Sequence, residues 1–292
     1  MPDRQQKYLA FRALHNRPGA FVMPNPWDAG SARILTALGF AALATTSAGY
    51  AFSVGRRDSL AGLNRDVLLE NARAIAGATD LPVSADLEDG FGTAPALCAE
   101  TIGMAIDAGL VGGSIEDATG DPARPIFDPG LARERIAAAA EAARGQGFVL
   151  TARAENYLWG RPDLKDTIAR LNAFAEAGAD VLYAPGLPDL AAIRSLCAAV
   201  DRPVNVVMGL GGINIPVADL AAAGVRRISV GGSFARAALG ALIRAAEEVR
   251  DQGTFSYAAF ATPAARIEAM MSDEKRADII RPDTPAPGKE TS

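Results

Sequence analysis

The sequence predicts a single α/β domain, a (β/α)8 barrel with an extra N-terminal helix and a C-terminal helical extension. Three observations predict it: eight short runs rich in Val, Ile and Leu, a longer stretch of helical spacing after each, and a glycine that returns just before the next strand. This alternation is the pattern of repeated βα units around a parallel sheet. The chain has 292 residues, and such barrels occupy about 250 as one unit.

Taken in order, residues 3–16 read as the extra helix, placed to cover the bottom of the barrel. Strands are expected at 21–23, 41–45, 82–86, 112–115, 148–153, 181–184, 203–207 and 227–230. Between them, Asn64 can cap a helix over 65–78, Thr93 with Pro95 opens 95–108, and Asp163 starts a segment ended by Gly178. The phrases ALGF, DAGL, EAGAD and AAGV each set a glycine after a helix and before a strand, as a short αβ loop requires. Residues 253–279 add helical material, so the domain is expected over 1–280. The polar, Pro-rich tail 281–292 is expected to be disordered or to lie along a neighbour. No linker divides the chain.

Composition narrows the function. The chain is 49% hydrophobic and 22% charged with a net charge of -5. This is ordinary for a globular protein and offers no basic field for nucleic acid. No run approaches the ~18 apolar residues of a membrane span, and the charged N-terminus lacks a signal-peptide core. A cytoplasmic protein without membrane or nucleic-acid partners is expected. Cys98 and Cys197 lie in helical stretches and read as buried apolar residues, while His15 is the only histidine. A catalytic histidine or a zinc site is thereby disfavoured, and a hard metal held by oxygen is favoured.

Barrel chemistry sits at the carboxyl ends of the strands, where this sequence is polar. Asp86 and Glu88, two apart in extended chain, point to one side, and Glu116 ends the next strand. Three converging carboxylates with no compensating lysine repel unless a cation lies among them. Mg2+ fits that need, with Mn2+ as a substitute; helix caps and solvated loop charges are the alternative reading. Arg153, ending the apolar FVLTAR strand, either grips a substrate carboxylate or partners Glu155 or Glu116. The segment Ser47–Gly49 can offer backbone N–H groups to an anionic oxygen. Gly209 to Gly212 and Gly231 to Ser233 occupy loops where barrels bind phosphate, or simply permit tight turns.

These residues resemble the isocitrate lyase and phosphoenolpyruvate mutase superfamily over roughly residues 10–250. Asp86-Leu87-Glu88-Asp89-Gly90-Phe91-Gly92 is similar to its D-x-D-x-G-[YF]-G metal segment, with Glu88 in place of an aspartate. Ser114-Ile115-Glu116-Asp117 resembles its [GH]-I-E-D strand end, Ser47-Ala48-Gly49 its oxyanion segment, Gly55-Arg56-Arg57-Asp58 its G-x-P-D stretch and Thr151-Ala152-Arg153 its A-R segment. The resemblance implies that Asp86, Glu88 and Glu116 hold Mg2+ directly or through water, with Asp58 outside them. It implies that Ser47 and Gly49 bind the substrate's carboxylate or oxo oxygen and that Arg153 grips a carboxylate. Ala48, Asp86 and Asn205 complete the expected substrate-binding set.

One stretch departs from the pattern. Where the lyases carry a K-[KR]-C-G-H loop whose cysteine supplies a proton, this chain reads Ala118-Thr119-Gly120-Asp121-Pro122-Ala123-Arg124-Pro125. The mutases' lysine and asparagine are absent as well. The expected function is therefore the shared part: a Mg2+-dependent carbon–carbon lyase or decarboxylase that forms an enolate from a small 2-oxo or 2-hydroxy di- or tricarboxylate. Phosphonopyruvate or phosphoenolpyruvate chemistry, and a 2-oxo-acid-binding barrel with little turnover, are the alternatives. Arg153, Glu116, Tyr50 and Arg124 are the catalytic candidates, and Glu155 and Tyr183 are further candidates for proton transfer or substrate choice. The resemblance also implies a tetramer, with residues 253–279 packed on a neighbour.

Overall fold

The computed structural model describes residues 2–58 and 62–272; the expected tail 281–292 lies outside them. Eight strands, β1 (Phe21–Met23), β2 (Leu43–Ala44), β3 (Val83–Asp86), β4 (Gly112–Glu116), β5 (Val149–Arg153), β6 (Val181–Tyr183), β7 (Val204–Val207) and β8 (Arg227–Ser229), form one parallel sheet. Their order, β1-β8-β7-β6-β5-β4-β3-β2, is that of a barrel with its seam between β1 and β2. The seam is bridged by Ala44 N–H donating to the Pro24 carbonyl at 3.0 Å. Asn25 fastens the same corner, donating to the Thr45 carbonyl at 2.8 Å and accepting from Val230 and Gly231 N–H.

Helices alternate with the strands: α1 (Arg4–Asn16), α2 (Ala29–Ala37), α3 (Ser47–Ser53), α4 (Arg65–Gly77), α5 (Pro95–Asp107), α6 (Pro129–Ala143), α7 (Leu164–Glu176), α8 (Leu190–Ala199), α9 (Val217–Ala222) and α10 (Ser233–Gln252). A 3-10 turn (Ser256–Phe260) and α11 (Ala264–Met271) follow. Asn64 and Asp163 cap α4 and α7 as expected, accepting from Val67 and Asp166 N–H. Thr93 does not cap α5: Ala94 holds that position without a side-chain bond and Pro95 opens the helix, while the Thr93 carbonyl accepts from Arg135.

The second strand, Leu43–Ala44, is shorter than the expected 41–45: Thr45 N–H still donates to the Ser84 carbonyl at 2.9 Å, and the chain then turns at Thr46 into α3. Thr45 Oγ1 accepts from Asp86 N–H at 2.9 Å, and Thr46 caps α3, a helix where the sequence predicts a strand end. The helix α1 plugs the barrel floor, where Phe11 and Leu14 pack with Phe21, Val111, Val149 and Val181. Among the described residues, no helix is long and apolar enough to cross a membrane.

Candidate active site

The carboxyl ends of the strands open into a cavity of about 1820 Å3 that reaches from the loops down to Met23 and Arg227 inside the barrel. At its centre is Arg153, the last residue of β5. Its three nitrogens take three different carboxylates: Nη1 meets Asp86 Oδ1 at 3.1 Å, Nη2 meets Glu116 Oε2 at 2.9 Å and Nε meets Glu155 Oε1 at 2.9 Å. Parallel pairing explains the meeting, since Glu116 stands opposite Arg153 in the ladder and Asp86 ends the strand beyond. The cation among the acids is thus in part this guanidinium, and the two readings of Arg153 merge at one position.

Three acids against one guanidinium leave excess negative charge in a buried place. Burial pushes Glu116 and Glu155 above the usual carboxylate range, with neighbouring acids adding to the effect and Arg153 opposing it. Glu88 is raised to about 8, first by burial and then by Asp86. Asp58 is raised by the same two causes. Ser47 Oγ donates to Asp86 Oδ2 at 3.0 Å, fixing that carboxylate between the hydroxyl and Arg153.

The donor set is all oxygen and over-rich in negative charge, which fits a hard divalent cation rather than zinc. Among the described residues, no three carboxylate, histidine or cysteine groups converge closely enough to ligate one ion together. Of the two expected modes, direct and through water, this geometry fits one or two carboxylates with water completing the shell, the habit of Mg2+.

The loop after β3 departs from ordinary backbone. Glu88 and Phe91 have φ of 50° and 62°, and Gly90 has 77°. Non-glycine residues there cost on the order of 1–3 kcal/mol each and persist only where surroundings hold them. The holder is Arg135 of α6, which the sequence reading missed. Its buried guanidinium donates to the carbonyls of Asp89, Gly92 and Thr93 and stacks on Phe127 at 4.2 Å. Arg170 of α7 does similar work beyond β4, pairing with Asp117 at 3.1 Å while Asp117 also accepts from Glu155 N–H. A lone arginine on the inner face of an Ala-rich helix was the available signal for Arg135.

The other expected residues divide. Ser47 and Ala48 line the cavity, and as the first two residues of α3 their N–H groups have no helical carbonyl to meet. Gly49 N–H is taken by Thr46 Oγ1 at 3.2 Å, and a side chain there would strike Thr46, Ala235 and Trp27, so packing accounts for this glycine. Asn205 is on the cavity wall with both amide ends engaged, accepting from Arg227 Nε at 2.8 Å and donating to Ser229 Oγ at 3.1 Å.

Tyr50 and Arg124 are not brought to the cavity lining. On α3, Ser47, Ala48 and Phe52 line the cavity and Tyr50 between them does not. The segment 118–126 folds on itself through an antiparallel bridge between Ala118 and Ile126 and the Thr119 N–H to Pro125 carbonyl bond at 2.9 Å. That fold leaves the Arg124 side chain 87% exposed beside Asp121. Only Thr119 and Gly120 of this segment face the cavity.

Fold and site together define the class, a (β/α)8-barrel enzyme with an arginine–carboxylate centre at the strand ends. Residues 11–250 match the phosphoenolpyruvate phosphomutase family, and the chain belongs to it, within the isocitrate lyase and phosphoenolpyruvate mutase superfamily. A solved structure from Burkholderia cenocepacia J2315, provisionally designated a lyase/mutase, is 56% identical with a TM-score of 0.90, covering 94% of this chain and 98% of its own. The 2-methylisocitrate lyase of Escherichia coli K12 is 30% identical over 67% of this chain and 67% of its own length. The oxaloacetate decarboxylase of Paraburkholderia xenovorans LB400 is 29% identical over 87% and 85%.

Proposed function

We propose that this protein is a Mg2+-dependent carbon–carbon lyase or decarboxylase acting on a small 2-oxo or 2-hydroxy di- or tricarboxylate through an enolate. The observation that carries the reading is Arg153, held in the cavity by Asp86, Glu116 and Glu155 beside the Ser47 hydroxyl. The names of the two characterised relatives, one a lyase and one a decarboxylase, support the same class of substrate.

In this reading one or two of Asp86, Glu88 and Glu116 bind the ion directly and the rest through water, with Asp58 behind them and Mn2+ serving as a substitute. The bound ion supplies charge to polarise the 2-oxo oxygen. Arg153 grips a substrate carboxylate with the fork it presents to the cavity, exchanging part of its pairing with the acids for the incoming anion. The Ser47 hydroxyl orients Asp86, and the N–H groups of Ser47 and Ala48 face developing negative charge. Phosphonopyruvate chemistry is disfavoured because the 118–126 segment brings neither lysine nor asparagine to the cavity. The two free cysteines support a cytoplasmic setting.

The test is turnover of oxaloacetate, 2-methylisocitrate, isocitrate and phosphonopyruvate by the purified protein with Mg2+. Product from an oxo- or hydroxy-diacid is expected, abolished by EDTA and lowered on the order of 100-fold or more by Asp86→Ala. Activity that survives both treatments would refute the metal role; thermal stabilisation by oxo acids without product would mark a binding protein.

A further inference from the structure

We propose that Tyr183 is the proton donor of this cavity, delivering its phenolic proton to the carbon left electron-rich when the substrate's carbon–carbon bond breaks. The proposal rests on the lyase or decarboxylase reading above and names the group that completes it.

Cleavage leaves an electron pair that must be quenched on carbon, and the segment that follows β4 supplies no acid for it. Thr119 Oγ1 is bonded to backbone within the segment, Asp121 accepts from Ala123 N–H, and Arg124 is turned to solvent. Cys98 is buried in α5, and Cys197 lies in α8 outside the cavity lining. His15 lies below, its Nδ1 bonded to the Phe11 carbonyl and its Nε2 facing Arg227. Tyr50 does not reach the lining.

Tyr183 does reach it. It ends β6, in register with Arg153 on one side and Asn205 on the other. The Arg153 guanidinium lies 5.1 Å from the centre of its ring, so the phenol stands beside the group expected to hold the substrate carboxylate. Behind the hydroxyl, the barrel wall is polar where barrels usually pack branched apolar side chains. Arg227 Nε donates to Asn205 Oδ1 at 2.8 Å, Arg227 Nη2 to Thr151 Oγ1 at 2.9 Å, and Asn205 Nδ2 to Ser229 Oγ at 3.1 Å. Ser229, one of the groups that act on the Tyr183 phenol, carries this polar wall up to it. This polar network backs the phenol. Burial raises its pKa, with Glu155 and Asp86 adding to the effect and Arg153 and Ser229 opposing, so the phenol carries its proton before transfer.

For an oxaloacetate-type acid the step balances simply. The C3–C4 bond breaks, its electron pair enters the C2–C3 enolate and CO2 leaves. C3 takes the Tyr183 proton to form the product 2-oxo acid, and the phenolate regains a proton from water.

The experiment uses the Mg2+-loaded protein and 3-methyloxaloacetate in D2O, with the product trapped and the configuration of deuterium at C3 determined. Wild-type enzyme is expected to give one configuration. Tyr183→Phe is expected to release CO2 still, to bind the enolate mimic oxalate within about threefold of wild type, and to give an equal mixture of configurations. A single configuration from Tyr183→Phe at wild-type kcat overturns the proposal alone. Loss of oxalate binding in a variant that melts normally also overturns it, since Tyr183 would then be a binding residue. No CO2 from the wild-type enzyme on any acid overturns the lyase reading, and this proposal with it. Incorporation of 3-fluorotyrosine at position 183, which keeps ring and hydroxyl, covers a folding failure of the phenylalanine variant; it is expected to shift the pH profile of protonation, and an unmoved profile counts against the proposal.

Discussion

The single histidine shows how a residue's surroundings decide its chemistry. His15 is buried between Phe11, Phe21 and Arg227, with its ring edge-on to both phenylalanines. The Nδ1 contact with the Phe11 carbonyl requires a proton on Nδ1, which leaves the Nε2 lone pair to accept from Arg227. Burial, and then the Arg227 charge, lower its pKa to about 3. The folded state therefore binds fewer protons than the unfolded chain between pH 3 and 6.5, and stability falls as pH drops through that window. The loss is on the order of a few kcal/mol. Melting curves from pH 7 to 4 are expected to fall less steeply for His15→Gln than for wild type; identical slopes would show that His15 does not titrate this way. Arg153 makes the complementary point. Its residue type announced an anion partner, but only the ladder opposite Glu116 reveals that three protein carboxylates already share it.

At the scale of elements, the barrel floor and the site are joined through β4. Gly112 has no room for a side chain: a Cβ there would lie 2.8 Å from Phe11 Cε1 and 3.0 Å from the Val149 carbonyl oxygen. The close approach lets α1 seat Phe11 inside the barrel while β4 carries Glu116 to the cavity four residues later. Gly112→Ala is expected to lower stability by about 1–3 kcal/mol through overpacking, with a drop in melting temperature as the measure. An unchanged melting temperature would mean that α1 moves aside at no cost. The same element shows why the departure at 118–126 matters. Its side chains bond within their own turn, so the segment makes a wall of Thr119 and Gly120 and offers no charged group to the substrate.

The whole molecule leaves an apolar face uncovered. On α10 and the turn after it, Leu242, Ile243, Phe255 and Phe260 are 64%, 55%, 65% and 91% exposed, large apolar side chains of the kind that mark interaction surfaces when they lie together. We propose that another copy of the chain covers it, in the tetramer implied by the sequence resemblance. Light scattering is expected to report an oligomer for wild type and smaller species for Leu242→Glu with Phe260→Glu. A wild-type monomer at micromolar concentration would refute the assembly.

Much of the barrel was legible in the residues, because strand and helix differ in the period of their apolar side chains and glycines mark the returns between them. That Asp86, Glu88, Glu116 and Arg153 gather at the cavity was legible too, since the end of each apolar strand run is a place where polar residues need a reason. Less legible were the groups whose roles depend on partners remote in sequence. Arg135 reaches three carbonyls more than forty residues away, and Arg227 serves Asn205, Thr151 and His15 at separations from 22 to 212 residues.

The sequence by itself determined the barrel, the acidic strand ends and the lack of any cysteine, lysine or asparagine at 118–125, where the family resemblance leads one to expect a proton donor. The tertiary structure alone decided which charges meet, that Arg153 sits among the acids, that Arg124 turns away and that Tyr183 faces the cavity. The physical reason is that periodicity is a local property of the chain. Pairing and burial depend on distances between strands, and only closure of the barrel sets those.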